Sequence, residues 1–189
     1  MPERIANLMS FRACVIFERN AIRINQPELA VLARQRAREI FLETLERLDT
    51  FEDCVNMARN AAEKMYPEEA ILARKRALEI RVNIEEILRG QKFGFERECF
   101  AAVFAYEEAM SNPGNRRYRA TRTWQMIGRI GIVPAFERLV SNPVERPGYT
   151  SLCNLGLAEY AFEAVVLRHP NEFSPTAVQL SRERLGKPE

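Results

Sequence analysis

The chain has 189 residues, a length that favours one domain or one array of repeated helix pairs. Its 47% of apolar residues is enough for a sizeable core, and a net charge of +2 argues against a chain that binds polyanions over its whole surface. No run of about 18 apolar residues occurs and the start lacks the pattern of a signal peptide, so we expect no membrane span and a cytoplasmic protein.

Residues 11–50 and 51–90 are two copies of one pattern. Aligned without a gap, they share 18 identities in 40 positions. The most similar stretch reads PELAVLARQRAREI at 27–40 and PEEAILARKRALEI at 67–80. A period of 40 residues is the length of two helices with their turns, and it is similar to the period of HEAT and armadillo arrays.

The helices of these two copies are predicted from their end signals. Apolar residues at helical spacing predict a first helix over 3–24. Pro27 and Pro67 favour the first turn of a helix, which predicts helices over 27–48 and 67–89. Thr50 is a cap residue for a helix over 51–65, and Gly90 is a natural stop.

The pattern continues less regularly after residue 90. A third pair is predicted within 93–130, and divergent helices follow within 133–186. The predicted helices of this half cover 93–111, 115–127, 133–141, 150–168 and 175–185. We therefore expect an all-α fold of about nine helices in stacked antiparallel pairs, an α-solenoid-like helical repeat domain spanning 1–189.

Three of the predicted helices end alike. Ala105-Tyr106-Glu107-Glu108 precedes Pro113, Ala135-Phe136-Glu137-Arg138 precedes Pro143, and Ala161-Phe162-Glu163-Ala164 precedes Pro170. This ending resembles the second helix of tetratricopeptide (TPR) repeats, in which alanine, an aromatic residue, alanine and a final proline recur. We expect the aromatic side chain to pack between helices and the adjacent glutamate to face outward.

The strongest candidate for a binding site is the stretch 115–129, NRRYRATRTWQMIGR. Residues 91–130 carry 7 basic and 4 acidic groups, and no acid occurs from Ser111 to Gly131. Arginine neutralises phosphate, and aromatic rings stack on unpaired bases. On one helix, Arg116, Arg119 and Arg122 would form a basic ridge. The candidate binding residues are Arg116, Arg117, Tyr118, Arg119, Arg122, Trp124 and Arg129.

Two other interpretations of this stretch stay open. In the first, Tyr118 and Trp124 belong to the core and the arginines pair with Glu107, Glu108 or acids of a neighbouring repeat. In the second, Arg122–Ile127 and Val133–Val140 form a helix-turn-helix around a turn at Gly128–Gly131.

Arginines also recur at equivalent positions of the repeats. The pairs are Arg34 with Arg36, Arg74 with Arg76, and Arg182 with Arg184. Recurrence favours a structural ladder, in which an arginine bonds to a carboxylate or carbonyl of the next repeat. The alternative is a concave basic surface lined by these side chains.

Support for catalysis is weak. The one histidine, His169, precedes a proline at a helix end, and Cys153 lies on the same predicted helix about 24 Å away. The four cysteines (Cys14, Cys54, Cys99 and Cys153) show no CxxC spacing, and no HExxH or GxGxxG motif occurs. The adjacent pair Glu107-Glu108 is typical of a solvated helix face. We expect no metal, no cofactor and no enzymatic activity.

The expected function is that of a non-enzymatic interaction module, which binds a protein partner through its helical-repeat surface. The alternative is a nucleic-acid-binding protein that uses the arginine-rich helix 115–129, and an enzyme comes third. The sequence does not indicate an oligomeric state.

Overall fold

The computed structural model describes residues 5–90, 92–111, 117–142 and 147–186. This part of the chain is helical and contains no strand, as predicted. The chain divides into two compact units, Met1–Ala77 (unit 1) and Leu78–Glu189 (unit 2). The ten α-helices of the described residues are α1 Phe11–Arg23, α2 Pro27–Glu46, α3 Phe51–Glu63, α4 Pro67–Arg89, α5 Glu96–Met110, α6 Thr121–Ile130, α7 Ile132–Ser141, α8 Pro147–Asn154, α9 Phe162–Arg168 and α10 Pro175–Arg184.

The helix starts of unit 1 follow the local sequence. Ser10 and Thr50 cap α1 and α3, because each side-chain oxygen accepts the backbone N–H three residues on, at 3.2 Å. Pro27 and Pro67 begin α2 and α4, as predicted. The stacking of successive helix pairs into a solenoid stays a prediction.

The turns inside the two helix pairs are also copies of each other. Asn25 and Met65 adopt the left-handed conformation, with φ of 56° and 69°. The residue after each of them donates its N–H to the carbonyl five residues back, at 2.9 and 3.0 Å. This bond satisfies a carbonyl that the end of the helix would otherwise leave unpaired.

Small residues line the packed faces of the two copies. In both copies a cysteine and an alanine of the first helix and three alanines of the second helix are buried at equivalent positions. The buried residues shared by both copies are Cys14 and Cys54, Ala21 and Ala61, Ala30 and Ala70, Ala33 and Ala73, and Ala37 and Ala77.

A polar network joins the two copies within unit 1. Arg34 donates to Glu18 at 3.1 Å and to the carbonyl of Met65 at 3.2 Å. The hydroxyl of Tyr66 donates to the same buried glutamate. Burial and the hydrogen bond to Glu18 raise the pKa of Tyr66. The ladder interpretation therefore holds at Arg34, whereas Arg36 pairs with Glu39 of its own helix at 3.0 Å.

The core of unit 2 is built around α5. This helix packs against α7, α8, α9 and the 3₁₀ turn Ala158–Tyr160, while α6 packs against α7, and α10 packs against α7 and α9. Three aromatic side chains fill the space between these helices, namely Phe136, Phe162 and Phe173. No helix among the described residues is long and apolar enough to cross a membrane.

Three predicted helices differ from the observed ones. The helix predicted over 3–24 begins in fact at Phe11, because Ser10 is its cap. The predicted helix 150–168 is interrupted after Asn154, where Gly156 has a φ of 71° and Leu157 donates to the carbonyl of Leu152 at 2.8 Å. Cys153 and His169 therefore do not lie on one helix, and the 24 Å separation does not apply.

The third difference is in the arginine-rich stretch. The helix predicted over 115–127 begins in fact at Thr121, because residues 117–120 are not helical. Asn115 and Arg116 lie outside the described residues. The predicted ridge of Arg116, Arg119 and Arg122 on one helix is therefore wrong, since Arg119 precedes the helix.

Candidate functional site

The arginine segment (residues 117–130) is attached to α5 by two side chains one helical turn apart. Ser111, which ends α5, accepts the backbone N–H of Tyr118 at 3.0 Å. Glu107 Oε1 accepts the backbone N–H of Ala120 at 2.9 Å and the indole N–H of Trp124 at 2.7 Å. The non-helical part of the segment is thus fixed near both of its ends.

Glu107 lies in the core, with only 1% of its surface exposed. Its second oxygen, Oε2, accepts from Arg81 at 2.8 Å, and the Arg81 guanidinium lies 4.0 Å from the ring centroid of Phe104. Burial lowers the pKa of Arg81, and the Glu107 carboxylate opposes that shift. Both oxygens of this glutamate therefore bind groups inside the protein.

The backbone turns sharply at Ala120, which sets the start of α6. Thr121 donates its N–H to the carbonyl of Arg119 at 2.8 Å, and Ala120 has φ −76° and ψ 55°, the geometry of an inverse γ-turn. Because the N–H of Ala120 donates to Glu107, it is not available for a helical hydrogen bond to the carbonyl four residues back. Residues 117–120 therefore stay non-helical. This contact is the physical reason why the predicted helix is shorter at its start.

Trp124 is partly buried and packs against the core, which is close to the first of the two open interpretations. Its ring is stacked on Phe100 with centroids 5.8 Å apart and an interplanar angle of 12°, and it lies 5.2 Å from Phe104. With its indole N–H bound to Glu107, this side chain serves as a structural anchor of α6 rather than as a platform for a ligand.

The arginines of the segment differ from Trp124 in their exposure. Arg117, Arg119, Arg122 and Arg129 are all exposed. Within the described part of the chain, Arg119, Arg122 and Arg129 form no ion pair. The interpretation that the arginines pair with Glu107, Glu108 or acids of a neighbouring repeat is therefore wrong for these three, and Glu107 binds Arg81 instead. Arg122 and Arg129 are seven residues apart, so they lie on one face of α6, separated by about 10 Å along its axis.

Tyr118 lies between two of these arginines and is 38% exposed. Its ring meets Tyr106 edge to face, with centroids 5.8 Å apart and an angle of 81°. Tyr106 lies 5.7 Å from Phe162 in turn. The exposed tyrosine thus packs on Tyr106, which in turn contacts the aromatic core of unit 2.

The helix-turn-helix interpretation does not fit the observed boundaries. Gly128 lies inside α6, and Gly131 alone separates α6 from α7. Gly131 has a φ of 86°, and this one left-handed residue connects the two helices. A helix-turn-helix motif has a turn of 3–4 residues.

His169 lies at the end of α9, where its Nε2 is 3.1 Å from Glu98 Oε1. Arg168 binds the other oxygen of Glu98 at 2.7 Å. Burial raises the pKa of Glu98, but Arg168 and His169 outweigh burial, so the pKa lies below its ordinary value. No group of three or more potential metal ligands occurs in the described ranges.

The role of Glu107 was not predicted from the sequence. The expectation of a solvated Glu107-Glu108 face and an outward glutamate after the aromatic is wrong for Glu107. One signal was present. Glu107 and Glu108 are the last acids before a stretch of five arginines, so a carboxylate from this pair was the nearest available partner for the segment.

No family model, no curated protein and no solved structure matches this chain. The likeness to HEAT and TPR arrays therefore rests on the 40-residue period and the helix endings alone. The function has to be argued from the arginine segment and from the exposed surface of the helices.

Proposed function

We propose that this chain is a non-enzymatic module that binds nucleic acid by its phosphate backbone through the arginine segment. One observation carries the proposal. Arg119, Arg122 and Arg129 are exposed, form no ion pair with any described residue, and lie in a stretch from Ser111 to Gly131 that contains no acid. Structural arginines usually have a carboxylate partner, as Arg34 and Arg81 do here. Exposed guanidinium groups without such a partner are available to phosphate.

Two of the acids that flank the segment in the sequence bind groups of the protein. Glu107 is buried and binds Arg81, and no acid occurs between Glu108 and Glu137. Glu137 binds the backbone N–H of Ser174 at 2.6 Å. The surface of α6 is therefore positive, although the net charge of the chain is only +2.

The spacing on α6 suits a repeating anionic ligand. The separation of about 10 Å between Arg122 and Arg129 corresponds to roughly three base steps at 3.4 Å each. Phosphate contacts of this kind carry no sequence information, so binding should depend on charge and on salt rather than on base sequence.

The test is a salt titration of binding to a labelled oligonucleotide of about 16 nucleotides, followed by fluorescence anisotropy. The double variant Arg119→Ala/Arg122→Ala should weaken binding and reduce the slope of log K against log salt by about 1.4 on a single strand, since two phosphate contacts are lost.

A matched control removes the same charge elsewhere. Arg12 and Arg19 are exposed on α1 and have no ion pair with a described residue. The Arg12→Ala/Arg19→Ala variant should leave both affinity and slope close to those of the unmodified protein. Equal losses in the two double variants, or no binding at low salt, would show that the arginine segment is not a nucleic-acid site.

A second candidate function is binding of a protein partner, and one observation favours it. Ile84, Ile87 and Leu88 lie at i, i+3 and i+4 on α4, with 48%, 77% and 75% of their surfaces exposed. Residues at this spacing share one helix face, and an exposed apolar face is typical of a protein interface.

A pull-down from the native host, with and without nuclease, separates the two candidates. A partner captured after nuclease treatment, and lost with Ile87→Ser/Leu88→Ser but not with Arg119→Ala/Arg122→Ala, would support the protein-binding function. A partner released by nuclease and lost with the arginine variant would support the nucleic-acid function.

A further inference from the structure

Tyr118 has a placement that the proposed phosphate binding does not explain. It lies in the non-helical part of the arginine segment, between Arg117 and Arg119, and is 38% exposed. Tyr106 contacts it edge to face. In an edge-to-face pair, one ring presents its edge to a face of the other. Whichever ring presents its edge here, Tyr106 covers at most one face of the Tyr118 ring. A partly exposed aromatic ring therefore lies between Arg117 and Arg119 in the non-helical part of the segment.

The support beneath this ring is closely packed. A Cβ atom added at Gly148 would lie 2.7 Å from Tyr106 Cδ2, so the backbone of α8 approaches Tyr106 as only glycine allows. Phe162 also contacts Tyr106, with ring centroids 5.7 Å apart. The backbone N–H of Tyr118 is bound to Ser111. A ring held in this way loses little freedom when a ligand stacks on it.

We infer that the nucleic acid held by the arginine segment is single-stranded, and that one of its bases stacks on Tyr118 while Arg119 binds a flanking phosphate. The inference rests on the proposed nucleic-acid function and adds the strand type to it. In a duplex the faces of the bases are stacked on one another, so an exposed tyrosine face has no base to receive. In a single strand every base offers a face.

Trp124 cannot take this role, although it is the other aromatic residue of the segment. Its indole N–H binds Glu107, and its ring faces Phe100 and Phe104. The base-stacking function is therefore assigned to Tyr118 alone among the described residues of the segment.

The test compares ligands that share phosphates but differ in bases. The probes are a labelled oligo(dT) of about 12 nucleotides, an abasic strand of the same length and a duplex of the same length. The unmodified protein should bind oligo(dT) about tenfold more tightly than the abasic strand, within the range known for base–aromatic stacking.

Variants at Tyr118 isolate the ring. Tyr118→Ala should lower binding of oligo(dT) to the level of the abasic strand and leave the salt slope unchanged, whereas Tyr118→Phe should bind like the unmodified protein. Tyr149→Ala removes another exposed tyrosine, with 44% of its surface exposed, and should have no effect on either ligand. Circular dichroism of each variant checks that its helices are intact.

The outcomes separate this inference from the function on which it rests. Equal binding of oligo(dT) and the abasic strand, with both still weakened by Arg119→Ala/Arg122→Ala, would overturn stacking on Tyr118 and leave phosphate binding in place. Tighter binding of the duplex than of oligo(dT) would also overturn the inference. Failure to bind any of the three probes would overturn the proposed function itself.

Discussion

Glu107 links the core of unit 2 to the segment that carries the proposed site. It binds Arg81, the backbone of Ala120 and the indole of Trp124 with two oxygens. Buried carboxylates are costly unless paired, and here the pairing also determines where α6 begins. A change at this single residue therefore acts on stability and on the position of the arginines together.

Glu107→Gln should lower the free energy of unfolding by about 3 kcal/mol, because the amide keeps an acceptor for Ala120 and Trp124 but removes the buried carboxylate charge that Arg81 binds. Urea unfolding followed by circular dichroism measures the loss. Glu43→Gln is the matched control, since Glu43 is exposed on α2, and it should change the free energy by less than about 0.5 kcal/mol. Equal stability of the two variants would show that the Arg81 pair contributes nothing.

The two turns between paired helices have the same backbone conformation but a different residue at the left-handed position. Both turns require a left-handed residue, and the chain uses Asn25 in one and Met65 in the other. Asparagine tolerates this conformation through local hydrogen bonds, whereas methionine has no such compensation. The second turn should therefore store more strain than the first.

Met65→Gly should stabilise the protein by about 1 kcal/mol, because glycine adopts the left-handed conformation without steric cost and the Met65 side chain is largely exposed. Asn25→Gly should change stability by less than about 0.5 kcal/mol. Thermal unfolding of the two variants measures the difference. If both substitutions had the same effect, the strain would not depend on the residue at the turn.

The sequence predicted the elements whose signals are local. Pro27, Pro67 and Pro175 begin helices, Thr50 caps one, and Gly90 ends one, because in each case a few neighbouring residues determine the backbone. Gly156 carried the same kind of signal for the end of α8, and the prediction of one helix over 150–168 overlooked it.

The start of α6 could not be predicted in this way. It depends on a hydrogen bond between Glu107 and Ala120, thirteen residues apart, which forms only when α5 and α6 have packed. For the same reason the sequence identified the candidate arginines and Tyr118 but assigned Trp124 to the same site. Whether an aromatic residue faces a ligand or the core depends on contacts between helices.

For the whole molecule, the reaction rate of each cysteine thiol reports whether the unit that contains it stays closed. Cys14, Cys54 and Cys99 are buried, and Cys153 is exposed. Burial raises the pKa of the Cys99 thiol to about 12 and raises that of Cys14 as well, so these groups are thiols rather than reactive thiolates at neutral pH.

In the native protein a thiol reagent such as Ellman's reagent should therefore react quickly with Cys153 alone, and with all four cysteines after denaturation. Cys153→Ser should abolish the fast reaction, and mass spectrometry of the labelled peptides identifies the modified residue. Rapid native labelling of Cys14 or Cys54 would show that unit 1 opens readily, and rapid labelling of Cys99 would show the same for unit 2.

The anchoring of the one tryptophan of the chain has a spectroscopic consequence. Because Trp124 lies in unit 2 and its indole N–H binds Glu107, tryptophan emission reports that unit alone, whereas circular dichroism reports the helices of both units. The helix α4 runs unbroken from Pro67 to Arg89 and belongs in part to each unit. We therefore expect the two signals to change at the same denaturant concentration, and a difference between them would show that the two units unfold separately.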